Sequence, residues 1–574
     1  MYGAVTCPSG GWLLKPATAG LPTYWLPQLP ALRKHDVHGR IVAEESAPLR
    51  AFDQSALESA IEIEVDNGLY LEVALWRLPS EAVEIVDALE KPMVLERQPI
   101  FLLASHTSYR GPASVYLYLL DGRIYEDRFD LKAERKICCE LEAYALYLAL
   151  DGLATATRKR LYRLLMCQIA FSVISRQALD GGWVHGEWTD FMESHYRFHN
   201  AAILMLTAVF EERGDETTRA ALGKAASARL RGSDRTDIGL WFLHDSLEQS
   251  VEMMNQGGSR WVPSRILGKS PSTKMILNTH LDAIVALDRY RQVTGDTRYS
   301  EQVASALSAT RRLLSLRPAE WLYRPVFWAI RLTLLPVGRA ERLPLPLRAL
   351  KRITRTHVIP QLHRIKRRFP RMVMPGGIIE RHLAPLHFGV NYHSVNVADL
   401  ARVWRRFPGE DFGAILDNAV SAVTQTTLPT YWLEAGQRQA LGYWVEALYH
   451  LCTLRPTLAH RRYLAEAMLN ALDAGLGLPP SLLGAHPEAV RPAQRVPCPS
   501  PVDARLRVAN LSCNGHTEIV VVNPATDPIE LAWEANADRD LAWTTGSGQP
   551  IAVSASPIAV PPRGWILGRD YPLG

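Results

Sequence analysis

Cysteine is scarce and unpatterned in this chain of 574 residues. Cys7, Cys138, Cys139, Cys167, Cys452, Cys498 and Cys513 form no C-x-x-C pair and no Cys/His metal spacing, which argues against a cysteine zinc site. Scattered thiols suit a reducing compartment. There is no H-E-x-x-H helix, so no catalytic metal, and no other cofactor, is expected. The opening M-Y-G-A-V-T-C-P-S-G-G-W lacks a basic stretch followed by an apolar core, so no secretory signal is read and the expected location is cytoplasmic. No nucleic-acid recognition motif accompanies the basic charge, and nucleic acid is excluded as an expected partner. Nor does any fixed-period self-similarity stand out, as an α-solenoid would require.

What is present is ordinary for a globular chain: 47% hydrophobic and 21% charged residues. The length exceeds one core, so two or three domains are expected. The net charge of +5 fits an acidic substrate or a membrane surface. Residues 1 to 130 read as an N-terminal β-domain. Alternation in 60–78 around Asp66-Asn67-Gly68, and in 114–129 around Asp121-Gly122, predicts two hairpins. From 131 to 478 the apolar period becomes helical. Helices are predicted over 133–153, 157–179, 194–213, 215–230, 237–255, 274–294, 299–316, 395–406, 412–427, 438–454 and 459–473. Many consecutive helices with polar clusters at their ends predict an (α/α) toroid, one rim of helix ends forming a substrate cleft. A Pro-rich linker, 479–501, leads to residues 500–574, read as a small C-terminal β-sandwich. The expected fold class is therefore mainly α, an (α/α) toroid flanked by β-domains.

Two polar stretches carry the candidate chemistry. G-I-I-E-R-H-L-A-P-L-H-F-G-V-N-Y-H, from Gly377, gathers Glu380, Arg381, His382, His387, Asn391, Tyr392 and His393. Tyrosine and histidine transfer protons, and arginine binds carboxylates. The second stretch, from Gly181 to Asn200, holds His185, Glu187, Asp190, Glu193, His195, Tyr196, Arg197 and His199, with Trp183 and Trp188. Indoles stack on sugar faces and carboxylates accept from sugar hydroxyls. So many ionisable groups are costly to bury in a core, so this stretch is read as a sugar subsite. Asn278, at a further helix start, is a candidate substrate contact or a cap.

The helical region resembles the C-terminal domain of D-glucuronyl C5-epimerases, which invert uronic acids in heparan-type chains. The resemblance rests on four blocks in the family's order between 180 and 405: Asp180-Gly181-Gly182-Trp183, S-T-K-M-I-L-N-T-H-L from Ser272, Gly377-Ile378-Ile379-Glu380-Arg381-His382, and Asn391-Tyr392-His393. It implies an (α/α) toroid, a carbohydrate substrate and Tyr392 as a catalytic position. The family's acidic, tyrosine-rich segment before the second block is replaced here by R-W-V-P-S-R-I-L-G-K-S-P, which removes a second catalytic tyrosine from its expected place.

A uronate C5 proton becomes removable when the neighbouring carboxylate is neutralised. On this reading Arg381, His382 and Glu380 bind substrate, and Tyr392 and His393 move the proton. Trp183, His185, Trp188, His195, Tyr196, Arg197 and Asn278 complete the binding set. Return of a proton to the other face makes an epimerase; departure of the leaving oxygen makes a polysaccharide lyase. The alternative is a glycoside hydrolase, whose paired carboxylates come from Glu187, Asp190 and Glu380. A second alternative is a non-catalytic glycan-binding scaffold. All enzymatic readings require that the segments near 190 and 390 meet.

The expected partner is a polysaccharide or lipid-linked oligosaccharide. The insertion 317–371 begins apolar and aromatic, yet is too short and too charged to span a bilayer. It then carries Arg348, Lys351, Arg352, Arg355, Arg364, Lys366, Arg367, Arg368 and Arg371 with almost no acid. That mixture fits either peripheral contact with the inner membrane through 320–371 or a grip on an anionic glycan.

Overall fold

The computed structural model describes the chain apart from residues 1, 9, 28–29, 47–48, 52–61, 64, 66–67, 105–107, 110–124, 129–134, 258–260, 384–387, 486–495, 514, 535–540, 552–556 and 571–574. It is mainly α, with β-structure at both ends of the sequence. Two compact units emerge, Met1–Arg176 with Gly477–Gly574, and Gln177–Leu476.

In the first unit, the strands Tyr2–Thr6, Trp12–Pro16, Thr23–Leu26 and Trp76–Leu78 form an antiparallel sheet in that order. Trp25 and Leu13 are buried beneath it. The hairpin expected over 60–78 does not form. Glu62–Ile63 pairs with Leu49–Ala51, and Tyr70–Glu72 pairs with Ala31–His35, so alternation identified strands but not their partners. The strand expected over 114–120 lies outside the described residues. The same unit contains α1 (Glu140–Thr157) and α2 (Arg160–Ser175), packed on each other. Its last part is a four-stranded antiparallel sheet ordered Arg507–Asn510, Glu518–Asn523, Gly564–Arg569 and Ala542–Thr545. The buried run of Glu518–Asn523 lies at its centre.

The second unit is built of helical hairpins: α3 (Tyr196–Arg213) with α4 (Glu216–Arg231), α5 (Leu277–Thr294) with α6 (Ser300–Ser315). After α7 (Glu320–Thr333), α8 (Leu345–Ile353) and α9 (Leu362–Arg368) come α10 (Tyr392–Arg406) with α11 (Gly413–Thr424), and α12 (Gln439–Leu454) with α13 (Leu458–Asp473). The inner helices α3, α5, α10 and α12 pack each on the next. This is the (α/α) toroid arrangement. α3 and α5 are buried on nearly every side, polar residues such as Asn200, His280 and Asp282 included. Caps set the boundaries: Asp215 accepts from the Thr218 N–H to open α4, and Gly214 and Gly295 end α3 and α5 in the left-handed conformation.

The first three of these hairpins share a repeat that no fixed period reveals. His199, His280 and His393, in the first turns of α3, α5 and α10, each turn Nε2 to a backbone carbonyl 26 residues ahead, those of Ala225, Ala306 and Ala419. Each of these alanines opens an Ala-x-Ser-Ala tetrapeptide in the outer helix. Gly181, Gly239 and Gly377, all with positive φ, lie against the carbonyls of Lys224, Ser305 and Asn418, the residues just before those alanines, and a Cβ at any of the three would collide with that carbonyl. Two residues after each glycine stands Trp183, Trp241 or Ile379. The Trp183 ring meets His199 edge-on at 5.0 Å and the Trp241 ring stacks on His280 at 3.7 Å, while the Ile379 N–H donates to His393 Nδ1 at 3.0 Å. The insertion 317–371 and unequal loops spoil the period while the unit survives.

One predicted helix is absent. Residues 237–255 instead supply the strand Gly239–Phe242, paired with Ser233–Thr236, followed by one short 3₁₀ turn and the helix Val251–Gln256. The apolar run L-W-F-L satisfies either period, and the close seat of Gly239 against the outer helix decides for strand.

Candidate active site

The first turns of α3, α5 and α10 come together. Arg197 donates to the Asn278 carbonyl at 2.8 Å, Asn200 to the Thr279 carbonyl at 3.1 Å, and the Leu277 N–H to the Arg381 carbonyl at 2.8 Å. Beneath them lies an ion network. Arg197 pairs with Asp399 at 2.9 Å and Arg402 bonds both Asp282 and Asp399, at 2.9 and 2.8 Å. Burial raises the Asp282 carboxyl against the pull of Arg197 and Arg402, while the same two aspartates hold the buried Arg197 guanidinium above its usual range. Arg197, expected at substrate, is thus spent on joining three inner helices.

Above the network, side chains from the 190 and 390 segments meet through a residue from neither. Arg381 donates to His244 Nε2 at 3.1 Å, and its guanidinium stacks 4.3 Å from the Tyr392 ring. Arginine has only donors, so His244 Nε2 is unprotonated and its Nδ1–H faces Thr279 Oγ at 2.6 Å. Burial, then the charges of His195 and Arg381, hold His244 well below the usual imidazole range. The His195 ring lies 4.3 Å from His244, edge-on, and stacks on Phe198. The backbone N–H of Arg197 donates to His195 Nδ1, which leaves the proton on Nε2, 3.4 Å from Glu187 Oε2. Glu187, His195, His244, Arg381 and Tyr392 thus lie in a row of contacts, His195 and His244 meeting ring to ring and Arg381 lying over the Tyr392 ring.

Beside this row is a buried acidic pair. Lys274 reaches Asp245 at 3.2 Å, and its backbone N–H donates to Glu248 at 3.3 Å. Burial and the neighbouring Asp245 push the Glu248 carboxyl up to about 8, Lys274 opposing. Asp245 Oδ1 and Glu248 Oε1 are buried with no hydrogen-bond partner among the described residues. Met192 and Met275, next to Glu193 and Lys274, both take positive φ, backbone strain of the kind that gathers at functional sites. Glu193 holds its loop by accepting from the Trp188 and Thr189 N–H groups and from the Thr189 hydroxyl.

Several expected residues prove structural. His393 is fully buried, both ring nitrogens are held by backbone groups, and burial lowers it to about 4, so it cannot exchange a proton with substrate. Glu380 is buried in an ion pair with Lys366 of α9, which removes it from the carboxylate set. Trp183 is a core residue against His199, with no face for a sugar. Tyr196 is buried under the Arg229 guanidinium and accepts at its hydroxyl from Gln249. His185 is buried, accepting from the His195 N–H and packing on Phe198. Asp190 is exposed at a loop tip. Trp188 is half-buried with its indole N–H unpartnered among the described residues, and so are Asn278 Oδ1 and Arg381 Nε. His382 is half-buried and close enough to His244 to lower its affinity for a proton. His387 lies outside the described residues. His244, Asp245 and Glu248 went unseen in the sequence because 237–255 reads as a helix, where such residues form a solvated face, and Lys274 was read only as the start of the helix over 274–294; the H-D pair directly after an apolar strand-length run was the available signal.

No family model and no curated protein matches the chain. Among solved structures it is similar to a GH127 β-L-arabinofuranosidase from Geobacillus stearothermophilus T6, at 11% identity over 76% of this chain and 72% of that one, with a TM-score of 0.31. It is also similar to a GH127 β-arabinofuranosidase, at 12% identity over 77% and 72%, with a TM-score of 0.32. Neither carries its activity over to this chain at that degree of superposition.

Proposed function

We propose that this chain is a carbohydrate-active enzyme that hydrolyses a glycosidic bond by acid–base catalysis at the rim of α3, α5 and α10. The carrying observation is that two buried carboxyls stand in unlike surroundings, Glu187 beside the His195 imidazole and Glu248 beside the Asp245 carboxylate. Glu187 faces the Nε2–H of His195 at 3.4 Å, in reach of a charge-assisted contact. Glu248, at about 8, keeps its proton at neutral pH. Hydrolysis of a glycoside needs such a pair, an acid to protonate the leaving oxygen and a carboxylate to activate water or attack carbon. Trp188 is a half-buried indole beside them, and Asn278 Oδ1 and Arg381 Nε are buried polar atoms with no partner among the described residues, a mixture that suits a polyhydroxylated ligand.

A second reading, abstraction of a uronate C5 proton, is favoured by one observation. Arg381 lies against the Tyr392 ring and is bonded to a neutral histidine, so it can neutralise a substrate carboxylate beside a phenol. Incubation with neutral and uronate glycans in deuterated water separates the two. New reducing ends, abolished in Glu187→Gln and Glu248→Gln, support hydrolysis. Deuterium at C5 or ultraviolet absorbance from a new double bond, abolished in Tyr392→Phe but not in Glu248→Gln, would replace it.

A further inference from the structure

The segment between α6 and α10 folds into α7, α8 and α9, and these helices show solvent a surface that a soluble helix would hide. α8 buries no residue. Leu345, Pro346, Leu350 and Ile353 share one side of it, and Arg348, Lys351 and Arg352 the other, as helical spacing requires. Leu345 is 76% exposed and Ile353 52%. α7 buries Tyr323, Phe327 and Ile330 on its inner face and turns Trp321 and Trp328 outward, 75% and 53% exposed, with Arg324 and Arg331 beside them.

The charge is one-sided. Between 317 and 371 stand fourteen lysines and arginines against two glutamates. Lys366 and Arg371 are consumed by Glu380 and Glu320. Arg348, Lys351, Arg352, Arg355, Arg364 and Arg367 have no ion pair among the described residues. Lys351 is lowered by burial and by Arg355, as crowded cations are. No described helix is long and apolar enough to cross a membrane.

The geometry points to an interfacial docking surface for an anionic lipid bilayer, with Trp321, Trp328, Leu345 and Ile353 entering the headgroup layer and the arginines of α8 and α9 lying on the lipid phosphates. Exposed leucine and isoleucine choose this occupant over an anionic polysaccharide, which rewards cations but gives nothing to aliphatic side chains. Tryptophan and arginine are the residues that settle at the boundary between lipid and water. The inference is independent of the reaction proposed above.

The test is flotation of the full chain with vesicles of phosphatidylcholine, alone or with about a third phosphatidylglycerol. The wild-type chain floats with the anionic vesicles, and binding weakens as salt rises. Leu345→Glu with Ile353→Glu lowers the bound fraction about tenfold, and Arg348→Gln with Lys351→Gln and Arg352→Gln removes the preference for anionic lipid. None of these side chains is buried, so folding, followed by thermal melting, is unchanged. Equal flotation of the Leu345→Glu/Ile353→Glu protein overturns the inference. So does a wild-type chain that ignores both vesicle types yet is retained by an anionic polysaccharide resin, which would assign the basic face to a glycan.

Discussion

Replacing Glu248 by glutamine should make the protein more stable in alkali and nearly indifferent in acid. Glutamine matches the protonated carboxyl in shape and cannot ionise. In the native chain burial and the neighbouring Asp245 push the Glu248 carboxyl up to about 8, against an ordinary 4.5. The folded state therefore binds more protons than the unfolded one between those values. Stability from this group is fully present below pH 4.5 and lost as pH climbs through 8. At about 1.4 kcal/mol per pH unit the complete loss is roughly 5 kcal/mol, comparable to the whole stability of many domains. Against wild type, Glu248→Gln should gain about 1 kcal/mol at pH 5 and about 5 kcal/mol at pH 9. Urea titration followed by tryptophan fluorescence reads this as a midpoint gap of about 1 M or more at pH 9 that nearly closes at pH 5. Parallel midpoints at both pH values would show that Glu248 is not held protonated, and the acid–base assignment would fall with it.

The buried histidines act in the opposite direction. His280 and His393 are lowered by burial to about 3 and about 4, so their contribution is present above pH 6.5 and drains as pH falls through 4. In the Glu248→Gln protein, where the opposing effect is gone, about 4 kcal/mol should disappear between pH 7 and 5, and a flat urea midpoint would contradict it. Gly377→Ala should cost several kcal/mol, since φ is +91 and the new methyl meets the Asn418 carbonyl, whereas Gly214→Ala, in open space, should cost about 1 kcal/mol. Equal melting temperatures for the two would refute the repeat's packing. Arg381→Ala removes both the bond to His244 and the stack on Tyr392; kcat should fall about a hundredfold with little change in melting. Unchanged turnover would place the site elsewhere.

Local pattern carried the sequence a long way. The boundaries of α3, α4, α6, α12 and α13 follow from apolar spacing and from caps such as Asp215 and Gly214, because a helix is specified by its own residues and those just beyond its ends. The density of ionisable groups near 190 and 390 likewise marked where helix ends gather. Pairing and burial were settled only in three dimensions. Tyr392 and His393 are adjacent in sequence, yet one lies beneath an arginine at the rim and the other is locked between two backbone groups. Glu187 and Glu248 share a cluster only because His195 and His244, nearly fifty residues apart, are brought ring to ring. A side chain's chemistry is written in its type, but whether it can use that chemistry depends on which partners and how much water the fold leaves it, and neither is a local property of the chain.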